Sequence, residues 1–207
     1  MPGRPGRIPK FMMNRTGDAA RKARETNVRI SLNLDGKGKA DIASGIPFLD
    51  HMLTLFAVHG YFDLSVHAEG DLDVDLHHTV EDVGLVLGDA ISRALNERKG
   101  IRRYGHAVIP MDDALAAVTV DLSNRPFLVC HTPDSIVYGT ALNPPLIREF
   151  FRALAGRGGM NLHINVAYGE NDHHVIESIF KAFGRALDQA VTMDGRTSGV
   201  LSSKGAL

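Results

Sequence analysis

The sequence predicts an α+β protein of duplicated half-domains related by pseudo-twofold symmetry, each an antiparallel sheet with helices packed on one face. A His-His-x-x-Glu signature occurs twice, at His77–Glu81 and His173–Glu177, and the two copies stand 96 residues apart. The apolar pattern after each copy repeats at the same offset, and the helical and strand patterns before it repeat at an offset of 98. A half of roughly 90 residues has only two layers, so pairing two of them buries the apolar faces that remain.

The elements follow in order. Residues 1–15 read as a flexible basic tail, with Arg4, Arg7, Lys10 and Arg15 set between prolines and glycines. They lack the apolar stretch and cleavage site of a secretory signal. The first half-repeat, 16–100, alternates at Ile30, Leu32 and Leu34 as a strand does, then reaches Asp35-Gly36, a hairpin turn signal. Leu49, Met52, Leu53 and Phe56 have helical spacing; Leu64, Val66 and Ala68 alternate again. Val80, Val83, Val86, Leu87, Ala90 and Ile91 form the apolar stripe of a second helix.

The second half-repeat, 101–195, carries the same order. Val118, Val120 and Leu122 match the first strand, and Ser123-Asn124-Arg125-Pro126 takes the place of the turn. Ile147, Phe150, Phe151 and Leu154 match the first helix, and Leu162, Ile164 and Val166 the next strand. Ile176, Ile179, Ala182, Phe183, Ala186 and Leu187 match the second stripe. Residues 196–207, rich in glycine and serine, read as a flexible C-terminal tail. The halves are expected to fuse into one compact domain.

Bulk properties narrow the function. The chain of 207 residues is 44% hydrophobic and 23% charged, with a net charge of -1, so no basic excess points to nucleic acid. No apolar run approaches the roughly 18–20 residues that span a bilayer. The single cysteine, Cys130, excludes an internal disulfide framework and suits a reducing compartment, so a cytoplasmic location is expected.

The chemistry lies in the histidines, of which there are 10. Residues four apart on a helix share a face, whereas neighbours diverge by about 100°. His77 and Glu81 therefore point together, as do His173 and Glu177, while His78 and His174 point elsewhere. Imidazole with carboxylate favours first-row ions such as manganese, iron, cobalt or zinc, and the lack of cysteine ligands argues against structural zinc. The repeat adds a third pair, because His51 corresponds to Glu149. His67, His106 and His131, each without such a partner pattern, read as core or surface residues.

The segments ETNVRISLNLDGKG (25–38), SGIPFLDHM (44–52), DLHHTVED (75–82), GENDHHVIESIFKAFGRAL (169–187) and LSSKG (201–205) closely resemble the imidazoleglycerol-phosphate dehydratase family. The resemblance implies loss of water from D-erythro-imidazole glycerol phosphate to give imidazole acetol phosphate, a step of histidine biosynthesis. It implies manganese, two ions per active site, and a homo-oligomer of 24 subunits with active sites at subunit interfaces. Its metal ligands carry over onto His51, His77, His78, Glu81, His173, His174 and Glu177, with Glu149 where many relatives place histidine. Its substrate contacts match Glu25, His59, Arg103, Arg125, Lys181, Ser203 and Lys204. Leu55 departs from a glutamine of some relatives, and 131–145 resembles them poorly.

For such a substrate, the difficulty is removing a weakly acidic proton from the carbon beside the ring. A ring held as imidazolate by two ions would act as an electron reservoir. Glu25 is then the leading acid–base group and Glu177 the second. Arg103, Arg125, Lys181 and Lys204 would gather the phosphate, with Ser203 adding a hydroxyl, and the tail would close over it. The competing readings are a di-metal phosphoester hydrolase, which ordinarily relies on bridging aspartates, and a metal-storing shell protein.

Overall fold

In the computed structural model, which describes residues 15–133, 139, 142 and 144–205, the two halves share one order of elements. The first comprises β1 (Thr16–Lys22), β2 (Thr26–Asn33), β3 (Ala40–Ala43), α1 (Pro47–Gly60), β4 (Asp63–Gly70) and α2 (His77–Leu95). The second comprises β5 (Tyr104–Met111), β6 (Ala114–Asp121), β7 (Phe127–His131), α3 (Pro144–Gly158), β8 (Asn161–Tyr168) and α4 (Asp172–Val191). The basic tail before Arg15 and most of 131–145 lie outside the described residues.

The sheets run β1-β2-β4-β3 and β5-β6-β8-β7. Both are antiparallel-rich, as expected, with one parallel edge pair each: β3 lies parallel to β4, and β7 parallel to β8. One expectation is corrected: Asp35-Gly36 makes a turn but not a hairpin, because β4 pairs with β2 and separates it from β3. The hairpin partner of β2 is β1, joined through residues 23–25. A short edge strand carries too few alternating apolar positions to be read from sequence; β3 has only Ile42 partly buried.

The helices lie on one face of each sheet, and they pair across the halves. α2 covers β1 and β2 and packs on α3; α4 covers β5 and β6 and packs on α1. Every residue of the two predicted helix stripes is buried, in one apolar core that runs through both halves. Phe56, Phe151, Phe180 and Phe183 meet at its centre, with ring centroids 5.1–5.6 Å apart for Phe56–Phe183, Phe151–Phe180 and Phe151–Phe183.

Close approach of the paired helices rests on glycine. A methyl group at Gly184 of α4 would lie 2.7 Å from the Phe56 carbonyl oxygen on α1; one at Gly88 of α2 would lie 2.6 Å from the Leu154 oxygen on α3. These glycines occupy matching positions in the repeat.

All four helices begin at one pole. α1 and α2 start beyond the C-terminal ends of β3 and β4, and α4 beyond that of β8. α3 runs alongside α2, from Glu149 near Glu81 to Arg157 on Asp89. α4, with 20 residues, puts its ends about 30 Å apart.

Gly184→Ala forces backbone apart at the α1–α4 crossing, an overpacking that costs roughly 1–3 kcal/mol. Denaturant unfolding of the variant is expected to show that loss, whereas Gly199→Ala, with nothing within 4 Å of its added carbon, is expected to be neutral.

Candidate metal centre

The first turn of α4 is set by Asn171, whose side chain accepts from the His173 backbone N–H at 2.9 Å. This cap fixes the helix start one residue before the histidines, so His173 and Glu177 share a face as their spacing requires. His173 Nε2 lies 3.2 Å from Glu177 Oε2, and His51 Nε2, from α1, lies 3.4 Å from the same oxygen. Ligands at right angles on a first-row ion stand roughly 3 Å apart, so these donors have the chemistry and spacing for one. Among the described residues this is the group of three whose ligand atoms all lie within 4.8 Å of one another.

The other repeat builds a related cluster with different contents. His77 Nε2 lies 3.7 Å from Glu81 Oε2 on α2. Glu149 comes from α3, as His51 does from α1, and Arg152 bridges Glu149 to Glu81. Both clusters therefore draw on one helix from each half.

His78 and His174 turn away from these clusters, and each has a carboxylate behind it. His78 Nδ1 donates to Asp71 at 3.1 Å, and His174 Nδ1 donates to Asp113 at 2.5 Å. A carboxylate on one ring nitrogen fixes the tautomer and leaves the other nitrogen as the ligand atom. The hydrogen bond and charge of Asp71, with help from Glu25, raise His78 above the ordinary imidazole value; the hydrogen bond to Asp113 does the same for His174. Asp113 itself is held well below the usual carboxylate range by His174 and by the backbone N–H groups of Asn171 and Glu170.

Sequence reasoning missed both aspartates. For Asp113 a signal existed: the offset of 88 that aligns Ile30 with Val118 also places Asp113 opposite Glu25. Both sit in the hairpin turn of their half. In the first half Asp71 supports His78, so the exposed Glu25 carboxylate makes no hydrogen bond to the described residues, although its charge reaches His78. Asp82 is buried and structural: it accepts from Arg21 at 2.8 Å and from the Thr26 hydroxyl, tying α2 to the first sheet.

Down the groove between α1 and α4, Lys181 Nζ lies 2.5 Å from Glu177 Oε1. Burial alone would raise the Glu177 carboxyl, but Lys181, His51 and His173 hold it below its ordinary value. His59 follows along α1; burial, then Lys181 and Arg185, lower its affinity for a proton.

The remaining expected substrate residues stand at the opposite pole. Arg103 is buried, donates to both Asp121 oxygens at 2.6 and 3.0 Å, and donates to the Leu201 carbonyl at 2.6 Å. It thus straps the C-terminal segment, which Gly100 N–H also holds through the Gly199 carbonyl. Ser203 and Lys204 are exposed just beyond, and Arg125 is exposed in the neighbouring turn between β6 and β7. One chain therefore does not bring Arg103, Arg125, Ser203 and Lys204 to its own histidines. His67, His106 and His131 lie on outward faces of the strands, away from the clusters.

A family model described as imidazoleglycerol-phosphate dehydratase matches residues 44–187. The imidazoleglycerol-phosphate dehydratase of Syntrophobacter fumaroxidans is 57% identical over 193 residues, 93% of this chain and 98% of that protein. That of Geobacter sulfurreducens is 52% identical over 195 residues, 94% of this chain and 100% of that protein. The crystal structure of the dehydratase from Staphylococcus aureus N315 superposes with a TM-score of 0.75 at 38% identity, covering 86% of this chain and 99% of that one. That from Pyrococcus furiosus, in complex with (S)-C348, gives 0.79 at 36% identity, covering 91% and 99%.

In chelator-stripped protein, His174 is expected to titrate above an ordinary histidine. A raised folded-state value stabilises at pH below the ordinary value, and that contribution is lost as pH rises through the raised one. Asp113→Asn is expected to move the His174 titration down in imidazole NMR spectra followed against pH.

Proposed function

The chain belongs to the imidazoleglycerol-phosphate dehydratase family, and from that premise we propose that its two histidine–carboxylate clusters hold the metal ions of the dehydration. The protein is a hydro-lyase of histidine biosynthesis: it converts D-erythro-imidazole glycerol phosphate to imidazole acetol phosphate and water. The observation that carries the metal reading is the convergence of His51, His173 and Glu177 from two helices on a space fit for one ion.

Manganese is the ion we assign, two per active site, held by His51, His77, His78, Glu81, Glu149, His173, His174 and Glu177. Bound ions would supply a positive field for the substrate's ring and lower the cost of charge on it. The chain's own residues do the rest. Asp71 and Asp113 orient the His78 and His174 rings outward. Glu25, uncommitted beside His78, is the group we assign to moving the proton at the carbon next to the ring, with Glu177 second because Lys181 and two histidines already engage it.

The separation of the poles supports a site shared between subunits. Lys181 stands near the histidines, whereas Arg103 meets Ala190 near the other end of α4, a helix about 30 Å long, with Arg125, Ser203 and Lys204 at that pole. A neighbouring copy presenting its tail pole to this chain's histidine pole would unite metal and phosphate ligands. We propose a homo-oligomer of this kind, with 24 subunits. Arg103, whose donors hold Asp121 and Leu201, would then act partly by shaping the tail that carries Ser203 and Lys204. No helix among the described residues is long and apolar enough to cross a membrane, and a biosynthetic enzyme with one cysteine suits the cytoplasm.

Stripping metal with a chelator is expected to abolish formation of the ketone, and manganese to restore it. Metal-dependent release of phosphate instead would make the protein a hydrolase, and tight metal binding without turnover a storage shell; either result overturns the metal-dehydratase reading. Glu25→Gln is expected to lower kcat about 10²–10⁴-fold, the usual scale for a general acid–base group, with manganese content unchanged. A loss of metal in that variant would remove Glu25 from the proton-transfer role.

A further inference from the structure

The two repeat-related clusters differ by a compensated exchange of charge. Where α1 carries His51 and Thr54, α3 carries Glu149 and Arg152, at the same offset of 98. Thr54 bonds back to the Asp50 carbonyl at 2.8 Å and plays no part in its cluster. Arg152 instead reaches across the ligand atoms of the other: its Nε donates to Glu149 Oε2 at 2.7 Å, and a terminal nitrogen donates to Glu81 Oε1 at 3.2 Å and to Glu149.

Two carboxylates aimed at one space repel each other unless a cation lies between them. In the α2–α3 cluster a guanidinium meets that need, through Glu81 Oε1 and Glu149 Oε2. The Arg152 side chain is 57% exposed, so it is free to swing into solvent when an ion arrives. In the α1–α4 cluster the cation is Lys181, which holds Glu177 Oε1 and leaves Oε2 to His51 and His173. The two clusters are thus unequal: Lys181 holds the one carboxylate of its cluster, whereas Arg152 spans two, taking Glu81 Oε1 and Glu149 Oε2 while Glu81 Oε2 faces His77.

We propose that Arg152 is an internal competitor for manganese at the α2–α3 cluster, a residue that holds Glu81 and Glu149 in place without metal and weakens metal binding there. The inference rests on the reading of both clusters as manganese sites. Releasing a cation from two half-buried carboxylates at hydrogen-bond distance is worth roughly tenfold in affinity.

The test is a manganese titration of chelator-stripped, full-length protein, with free ion read by electron paramagnetic resonance. Arg152→Thr, the residue of the other repeat, is expected to tighten one class of sites about tenfold and leave the other unchanged. In a Glu149→Gln background the same substitution is expected to have much less effect, since the competing contact has lost its charge. Arg152→Lys keeps the charge but loses the planar two-oxygen grip, and its affinity is expected to fall between. It also supplies the readout if the threonine variant fails to assemble. Unchanged or weakened binding in Arg152→Thr, or equal shifts in both classes, would overturn the proposal. Wild-type protein that bound no manganese would overturn the metal reading itself, and this inference with it.

Discussion

Each helix of one half is packed against a helix of the other, and the site depends on that pairing. Gly184 and Gly88 let the backbones of α4 and α2 come close against α1 and α3, and at the α1–α4 pair His51, His173 and Glu177 share one ion-sized space. A His-x-x-x-Glu pair on a single helix offers two ligands. The third, His51 or Glu149, comes from the partner helix, so neither half is complete alone. The same packing buries the phenylalanine cluster, which ties the meeting of His51, His173 and Glu177 to the integrity of the whole core.

Around that frame the electrostatics are organised by direction. The first histidine of each pair faces its carboxylate within the cluster, and the second faces outward with an aspartate behind it. An imidazole supported on Nδ1 presents Nε2; in His174 that nitrogen faces the exposed Asp112 carboxylate at 3.6 Å. At the far end of the helices, Arg103 and Asp121 hold the tail with its serine and lysine exposed. The two poles differ in chemistry, with histidines and carboxylates at one and arginine, serine and lysine side chains at the other.

Duplication did not leave two identical sites. Glu25 and Asp113 occupy the same hairpin position, yet Asp113 grips a histidine while Asp71 relieves Glu25 of that duty. His51 with Thr54 corresponds to Glu149 with Arg152, which conserves net charge and sets a guanidinium across two carboxylates in one cluster alone. Repeats fused in one chain diverge in this way because each site meets different neighbours.

The repeated stripes and the i, i+4 ligand pairs were legible in the sequence, because helical periodicity and a ligand's face follow from local geometry alone. So were His51 and Glu149 as third partners, through the offset of the repeat. The parallel edge strands β3 and β7 were not, because a short edge strand is defined by its neighbour's hydrogen bonds and not by its own pattern. Nor was the true role of Asp35-Gly36, since which strand pairs with β2 is settled by distant residues. Asp71 and Asp113 behind the histidines, Arg152 across two carboxylates and Arg103 on the tail are contacts between segments far apart in the chain. Sequence determined which histidines and carboxylates share a helix face; only the packing of one half against the other decided which of them meet across helices, and which already have a partner.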